Sequence, residues 1–146
     1  MRKRSLCCLI FCTLLGLLVT RGAGAQIQVT AIRGLSFGTV LPGVPLHILR
    51  TDPVNSGQFE VRAPPPKIII MTLTLPTVLN GPLGATMPLS FATNDGGFSG
   101  TNNIASQVAF NPNQAYVTVM TNNRVGVFLG STVSPALNQR AGAYTG

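Results

Sequence analysis

The stretch QIQVTAIRGLSFGTVLPG, residues 26–43, decides the fold of this chain. In its first half the apolar residues Ile27, Val29 and Ala31 alternate with side chains that point the other way. A period of two predicts a half-buried β-strand, because successive side chains leave opposite faces of the pleat. Glycine and proline interrupt its second half, residues 34–43, and favour bends and a turn. We therefore predict a first strand followed by a kinked corner.

The 25 residues before this stretch have the three parts of a secretory signal peptide. Residues 2–4 are basic, Leu6–Val19 is an almost unbroken apolar run, and Ala23-Gly24-Ala25 supplies small residues at the cleavage position. The apolar run is short for a membrane-spanning helix, which needs about 20 residues. We predict a signal-peptide helix cleaved after Ala25, and a protein that is secreted, periplasmic or held at the cell surface.

Cleavage would leave residues 26–146, a length that suits a single domain. All three cysteines precede Gln26, so this domain is expected to hold no disulfide and no thiolate metal site. Four of the ten Lys and Arg residues also precede Gln26, which leaves six against three acids and a net charge of +3. These six are scattered, whereas nucleic-acid binding needs clustered basic residues. We predict no nucleic-acid partner, and no membrane span after cleavage.

Short segments with alternating apolar residues, bounded by turn signals, recur along the rest of the chain. Helices are disfavoured, because proline, glycine and β-branched residues interrupt almost every candidate. The pattern predicts an all-β fold, an antiparallel β-sandwich. The main predicted strands after the first are Gln58–Ala63, Lys67–Leu75, Leu89–Ala92, Gln114–Met120 and Arg124–Leu129.

Three finer predictions concern the placement of these segments. The apolar start of Lys67–Leu75 predicts that both faces of that strand are covered. Gln114–Met120 and Arg124–Leu129 predict a hairpin, since asparagine at Asn122-Asn123 tolerates the positive φ of a tight turn. The polar, glycine-rich segment Asn94–Asn103 predicts a loop at one end of the molecule.

The sequence offers no complete catalytic constellation. Ser36 lies in a G-x-S-x-G pattern, but the glycine and proline after it exclude the helix that a nucleophile elbow needs. The one histidine, His47, precedes every acid in the chain. We therefore predict a non-enzymatic protein with no catalytic residue and no cofactor; Leu35 and Phe37, on either side of Ser36, are predicted core residues.

The three acids have structural explanations. Glu60 lies in an alternating strand, where we expect it to be solvated. Asp52 and Asp95 lie in turns, where we expect them to cap backbone amides. One histidine, no cysteine after the leader and no acidic cluster predict no metal site. The alternative is a weak calcium site formed by Asp95 and backbone oxygens of Asn94–Asn103.

Four aromatic residues admit two interpretations. Phe98, Phe110, Tyr116 and Tyr144 are expected to pack in the core or to anchor loops. The alternative is a platform on which sugar rings stack. That alternative goes with a second function class, a secreted module that binds a glycan or another small ligand.

The two ends of the domain resemble one family. The opening and closing motifs are similar to those of a bacterial secreted β-domain family, a domain of unknown function (number four-four-zero-two), distantly like spore-coat protein U and subunits of chaperone-assembled pili. The resemblance implies an immunoglobulin-like or pilin-like sandwich, exported and without catalytic residues. It rests on the segments Val29–Ala31, Leu35–Val40, Pro42-Gly43, Gln58–Val61, Leu73–Pro76 and Asn138–Gly146.

The sequence departs from that family after its closing motif. In the family one more apolar strand follows, whereas this sequence stops at Gly146. Either the sequence is cut short, or the final strand is missing and a partner's strand fills its place. The segment Gln26–Ile32 is one candidate donor. Our first hypothesis is an exported structural or adhesive subunit that self-associates or accepts a strand from another subunit.

Overall fold

The computed structural model describes residues 26–146, and the predicted signal peptide lies outside the described residues. The described chain is all-β, with antiparallel sheets and one 3₁₀ turn at Pro82–Gly84. Among these residues no helix has the length and apolar character needed to cross a membrane. The strands are β1 Gln28–Arg33, β2 Leu46–Ile48, β3 Gly57–Arg62, β4 Lys67–Met71, β5 Val78–Asn80, β6 Thr86–Ser90, β7 Gly96–Ser99, β8 Val108–Phe110, β9 Tyr116–Met120, β10 Arg124–Leu129 and β11 Ser131–Val133.

One sheet has five strands in the order β1-β3-β10-β7-β8. Its central strand is β10, which pairs with β3 on one side and β7 on the other, and whose residues 125–129 are all buried. The first strand predicted from the sequence is β1, an outer strand that pairs only with β3. The prediction that this strand is half-buried is wrong, because residues 28–32 are exposed on both faces at the edge of the sheet. The alternation predicted for Gln58–Ala63 is confirmed on its core side, where Val61 and Ala63 are buried.

A second sheet has four strands in the order β2-β11-β6-β5. The chain passes from β10 in the first sheet to β11 in the second through Gly130. The amide of Gly130 donates to the carbonyl of Asp95 at 2.8 Å. A Cβ at this position would lie only 2.6 Å from the backbone nitrogen of Arg50, so the close approach of the two strands requires glycine here.

Strands β4 and β9 form a separate two-stranded ribbon. Its inner residues Ile69 and Met120 belong to the main core cluster, together with apolar side chains of the five-stranded sheet. Ile68 and Ile70 lie on the outer face and are 70% and 69% exposed. The predicted cover on both faces of Lys67–Leu75 is therefore wrong, because the described chain covers only the inner face of this strand.

The predicted hairpin of Gln114–Met120 and Arg124–Leu129 is also wrong. β9 pairs with β4, whereas β10 pairs with β3 and β7. Residues 121–123 carry the chain from the ribbon into the five-stranded sheet, and Asn123 accepts a hydrogen bond from the amide of Ala63 at 3.2 Å. Alternating valines fit any apolar neighbour, so their pattern did not distinguish a local partner from a distant one.

The predicted loop Asn94–Asn103 contains strand β7, which lies between β10 and β8. Gly96 and Gly97 are buried, and a Cβ at Gly96 would lie 2.7 Å from the carbonyl oxygen of Phe110. The glycines that suggested a loop are therefore present because neighbouring atoms occupy the side-chain space. Two other predicted strands are displaced or shorter: Leu89–Ala92 is β6, Thr86–Ser90, and β4 ends at Met71.

We expect Gly130→Ala to lower the free energy of unfolding by about 1–3 kcal/mol, the usual cost of forcing extra volume into a packed site. The added methyl would meet backbone atoms of Ile48 and Arg50, which side-chain rotation cannot move away. Gly100→Ala is the matched control, because nothing lies within 4 Å of its Cβ position. Urea denaturation measures both. Equal stability of the two variants would contradict the steric role of Gly130.

Candidate functional site

A groove of about 930 Å³ opens in the described chain. We use the name groove for this cavity. Residues 34–40 and 73–76 both line it, as do the buried residues Met87, Leu89 and Val133 and the closing segment, residues 139–146. Most of these side chains are apolar. The groove therefore offers an apolar surface to an occupant rather than a set of reactive groups.

One wall of the groove is an extended segment with no neighbouring strand. Residues 72–76 connect β4 to β5, and no strand within residues 26–146 pairs with them. Leu73 and Leu75 are half-buried and line the groove, whereas Thr72 and Thr74 are exposed. This alternation is that of a strand, so the segment has strand-like side chains without a strand's hydrogen-bond ladder.

A second wall, residues 37–41, also has no strand partner, but its chain bends, since Gly38 has a φ of +59°. The amide of Ser36 donates to the carbonyl of Asn55 at 2.9 Å, and the amide of Gly43 donates to Ala136 at 3.1 Å. Between these two contacts, residues 37–41 pair with no strand of the described chain. Phe37 and Val40 pack against the core of the four-stranded sheet, which fixes this wall in place.

The closing segment is held beside the groove by the side chains of Gln139 and Tyr144. The amide nitrogen of Gln139 donates to the carbonyl of Thr86 at 3.2 Å and to the hydroxyl of Tyr144 at 2.6 Å. That hydroxyl donates to the carbonyl of Arg140 at 2.7 Å. Thr145 exchanges two backbone hydrogen bonds with Asn80, of 2.6 and 2.9 Å. The segment that carries the closing motif therefore lies antiparallel to the end of β5.

The residues of the G-x-S-x-G pattern and the histidine do not come together. Ser36 lines the groove, but His47 does not. His47 Nε2 lies 2.9 Å from Asp95 Oδ1, and Asp95 Oδ2 accepts the amide of Ala92 at 2.8 Å. The predicted amide cap by Asp95 is thus confirmed. Both of its oxygens have partners within the protein, which does not fit the alternative of a calcium ligand.

Glu60 is 3% exposed, so the expectation that it is solvated is wrong. Its carboxylate accepts hydrogen bonds from Arg62 Nε at 2.5 Å, from Arg124 Nε, and from Asn102 Nδ2 at 2.9 Å. The hydrogen bond from Arg62 lowers the pKa of Glu60 most, burial opposes it, and Arg124 lowers it further. The side chain of Glu60 lies on the outer face of β3, as the alternation predicted, but Arg62, Arg124 and Asn102 cover it there.

Asp52 caps backbone amides as predicted. One carboxylate oxygen accepts the amides of Val54 and Asn55, both at 2.8 Å, and these bonds lower the pKa of Asp52. Arg33 holds the same turn from the other side, since its Nε donates to the carbonyl of Ser56 at 2.7 Å. These contacts tie the end of β1 to the loop before β3. Within residues 26–146 no three His, Cys, Asp or Glu side chains converge as a metal site.

The aromatic side chains lie in the core, as the first interpretation predicted. Phe98 and Phe110 are buried, and Tyr116 stacks on Phe110 with ring centroids 4.5 Å apart. Tyr144 is half-buried against the core of the four-stranded sheet. The buried rings are not available as a sugar-stacking platform, and the segment Asn94–Asn103 presents no aromatic surface.

Sequence reasoning missed the two walls of the groove. It merged Thr72–Leu75 into strand β4, although the threonine and leucine alternation before Pro76 was recognised. It treated the closing motif only as a resemblance. Comparisons of the chain with protein-family models, with curated proteins and with solved structures found no match.

We predict that the stability of the domain falls with pH below the ordinary Glu pKa of 4.5. Because the folded pKa of Glu60 is lowered, its contribution is complete above 4.5 and is lost as the pH falls through the folded value. Glu60→Gln should therefore be less stable than the parent protein at neutral pH, and the difference should shrink below pH 4.5. Urea denaturation across this range measures it. A difference independent of pH would contradict the assignment.

Proposed function

We propose that this protein is an exported, non-enzymatic structural or adhesive subunit with an immunoglobulin-like or pilin-like sandwich fold. The proposal includes assembly, in which the groove accepts an extended strand of another subunit. One observation carries it: residues 72–76, which form one wall of the groove, have the side-chain alternation of a strand but no strand partner within residues 26–146. Unpaired strand edges are sites of strand addition, in which main-chain hydrogen bonds supply affinity.

The lining of the groove supports a strand as the occupant. Leu73, Leu75 and the buried side chains of Met87 and Leu89 give it an apolar interior. A strand presents alternate side chains to one face, so a strand with apolar residues at every second position would bury them here. The remaining side chains would face solvent. The groove would therefore hold a strand by burying its apolar side chains and pairing with its backbone, rather than through a cluster of titratable groups.

The candidate donor Gln26–Ile32 already has a place in its own domain. Residues from Gln28 onward pair with β3 in the five-stranded sheet. Donation of this segment to a neighbour would break that pairing, so we disfavour it as the donor. The predicted signal peptide supports export, and the all-β fold with the resemblance of the opening and closing motifs supports a structural role.

A charge in the groove tests the proposal. We expect the parent protein at micromolar concentration to form assemblies, and Leu75→Lys to be monomeric. The variant forfeits burial worth up to about 3 kcal/mol and must desolvate an unpaired ammonium group when a strand seats. Leu49→Lys is the matched control, since Leu49 is exposed and does not line the groove. Size-exclusion chromatography with light scattering measures the mass of each.

Two outcomes would contradict the proposal. The first is a parent protein that is monomeric at every concentration with a groove that takes up no strand. The second is a Leu75→Lys variant that assembles as well as Leu49→Lys. Thermal unfolding of both variants controls for folding, and Leu75→Thr is the milder substitution if the lysine prevents folding.

A further inference from the structure

Two arginines lie side by side on the outer face of the five-stranded sheet. Arg62 of β3 and Arg124 of β10 are directly opposite residues of an antiparallel pair, so their side chains leave the same face of the sheet. Both side chains are more than half exposed, at 57% and 55%. Like charges at directly opposite positions of a sheet destabilise it. This placement of two cations therefore requires an anion close to both of them.

Glu60 supplies one such anion from beneath the pair. Its carboxylate is buried, and each of its two oxygens accepts a hydrogen bond from the Nε atom of one arginine. Asn102 Nδ2 donates to the oxygen that Arg124 also contacts, at 2.9 Å. Three donors thus hold the carboxylate of Glu60, and the carboxylate in turn fixes the positions of both guanidinium groups.

One positive charge of this cluster is not neutralised. Two guanidinium charges against one carboxylate charge leave a net charge of +1. Residues 26–146 contain two other acids, and both are held elsewhere, because Asp52 caps its own turn and Asp95 contacts His47. The cluster therefore attracts an anion from solvent.

The unused hydrogen-bond donors of the two arginines define the chemistry of that anion. Each arginine contacts Glu60 through Nε, and no acceptor within residues 26–146 takes a hydrogen bond from the Nη groups of either one. The two Nη atoms of an arginine form a planar fork that matches a pair of oxygens. Two adjacent forks suit an anion with at least three oxygens, such as phosphate or sulfate, better than a carboxylate with two.

The surroundings of the pair are polar and contain no further acid. Gln28 of β1 lies opposite Arg62 in the same cross-strand row and is exposed. Gln28, Arg62 and Asn123 are among the residues that line a depression of about 380 Å³. Its volume accommodates an oxyanion with several waters, since a water takes about 30 Å³. No residue that lines it is acidic or aromatic, so it lacks the stacking rings of a site for single-stranded nucleic acid.

We propose that Arg62 and Arg124 form a site for a tetrahedral oxyanion, a phosphate or sulfate group, and that Glu60 positions both guanidinium groups. The free ion and an ester group on a polysaccharide share this chemistry. Because both arginines are exposed, the site is weak, with a dissociation constant of about 1–10 mM for the free ion. A polymer that carries many such groups would bind an assembly of subunits more tightly, through multivalency.

This site is separate from the groove. None of Glu60, Arg62 and Arg124 lines the groove, so the site does not depend on strand acceptance. The Leu75→Lys variant should therefore bind the anion as the parent protein does.

The test uses protein produced from the full 146-residue sequence, titrated with inorganic phosphate at constant ionic strength. The Nε and Nη resonances of Arg62 and Arg124 should shift and saturate in NMR spectra. Arg124→Lys should weaken binding by about threefold or more, because lysine keeps the charge but lacks the fork. Arg140→Gln should leave the affinity unchanged, since Arg140 is exposed and lies in the closing segment, outside the strands. Arg124→Lys leaves Glu60 two cationic partners, and thermal unfolding of each variant confirms that it folds.

Titrations with heparin, which carries sulfate esters, and with hyaluronate, which carries only carboxylates, identify the source of the anion. Tighter binding of heparin that Arg124→Lys weakens would assign an ester group on a polymer, and binding of phosphate alone would assign the free ion. The proposal is overturned if the arginine resonances shift no more with phosphate than with chloride, or if hyaluronate binds as well as heparin. It is also overturned if Arg140→Gln weakens binding as much as Arg124→Lys.

Discussion

The backbone groups of residues 72–76 need hydrogen-bond partners that no strand within residues 26–146 provides. This need is the constraint on which the proposed function depends. Backbone amides and carbonyls in a folded protein are almost always paired with other protein groups or with water. The second wall of the groove, residues 37–41, likewise has no strand partner within residues 26–146. We propose that a strand binds here, beside the alternating segment 72–76, which lines an apolar cavity and has no ladder.

The rest of the architecture keeps this place open. Phe37 and Val40 anchor one wall on the core of the four-stranded sheet, and Leu73 packs against the main core from the other. Gln139 and Tyr144 fix the closing segment beside β5 through side-chain hydrogen bonds to the backbone. In the five-stranded sheet β10 pairs on both sides, and the Glu60 cluster ties β3, β10 and the Asn102 loop together.

What could be predicted from the sequence was local. The alternation of Gln58–Ala63 gave the correct core side, and the turn chemistry of Asp52 gave the correct cap. What failed depended on distant neighbours. The valines of β9 and β10 suit a hairpin as well as they suit their true partners, so only packing distinguishes the two. Gly96 and Gly97 resemble a loop, yet their missing side chains are required by Phe110 and Gln107.

The candidate site could be predicted only in part, for the same reason. The residues of the opening and closing segments resemble a family, which stays a prediction, and nothing in Leu73–Pro76 reveals that no strand lies beside it. The exposed isoleucines of β4 were predicted to be buried. An apolar run indicates burial, but it does not identify the element that would cover it. The alternation of a strand shows which of its faces is buried. It does not show whether another strand or sheet lies against its other face or its edge, and the groove and the uncovered face of the ribbon depend on that.

Amide hydrogen exchange, resolved by segment, tests whether a strand binds in the groove. The comparison is between dilute monomer and the assembled protein, with the amides of β10 as the protected reference in both. We predict rapid exchange at residues 37–41 and 72–75 in the monomer, and protection of both segments on assembly, because a seated strand would supply their hydrogen bonds. Exchange at these segments that is as slow as in β10 before assembly, or that is unchanged by it, would contradict the account.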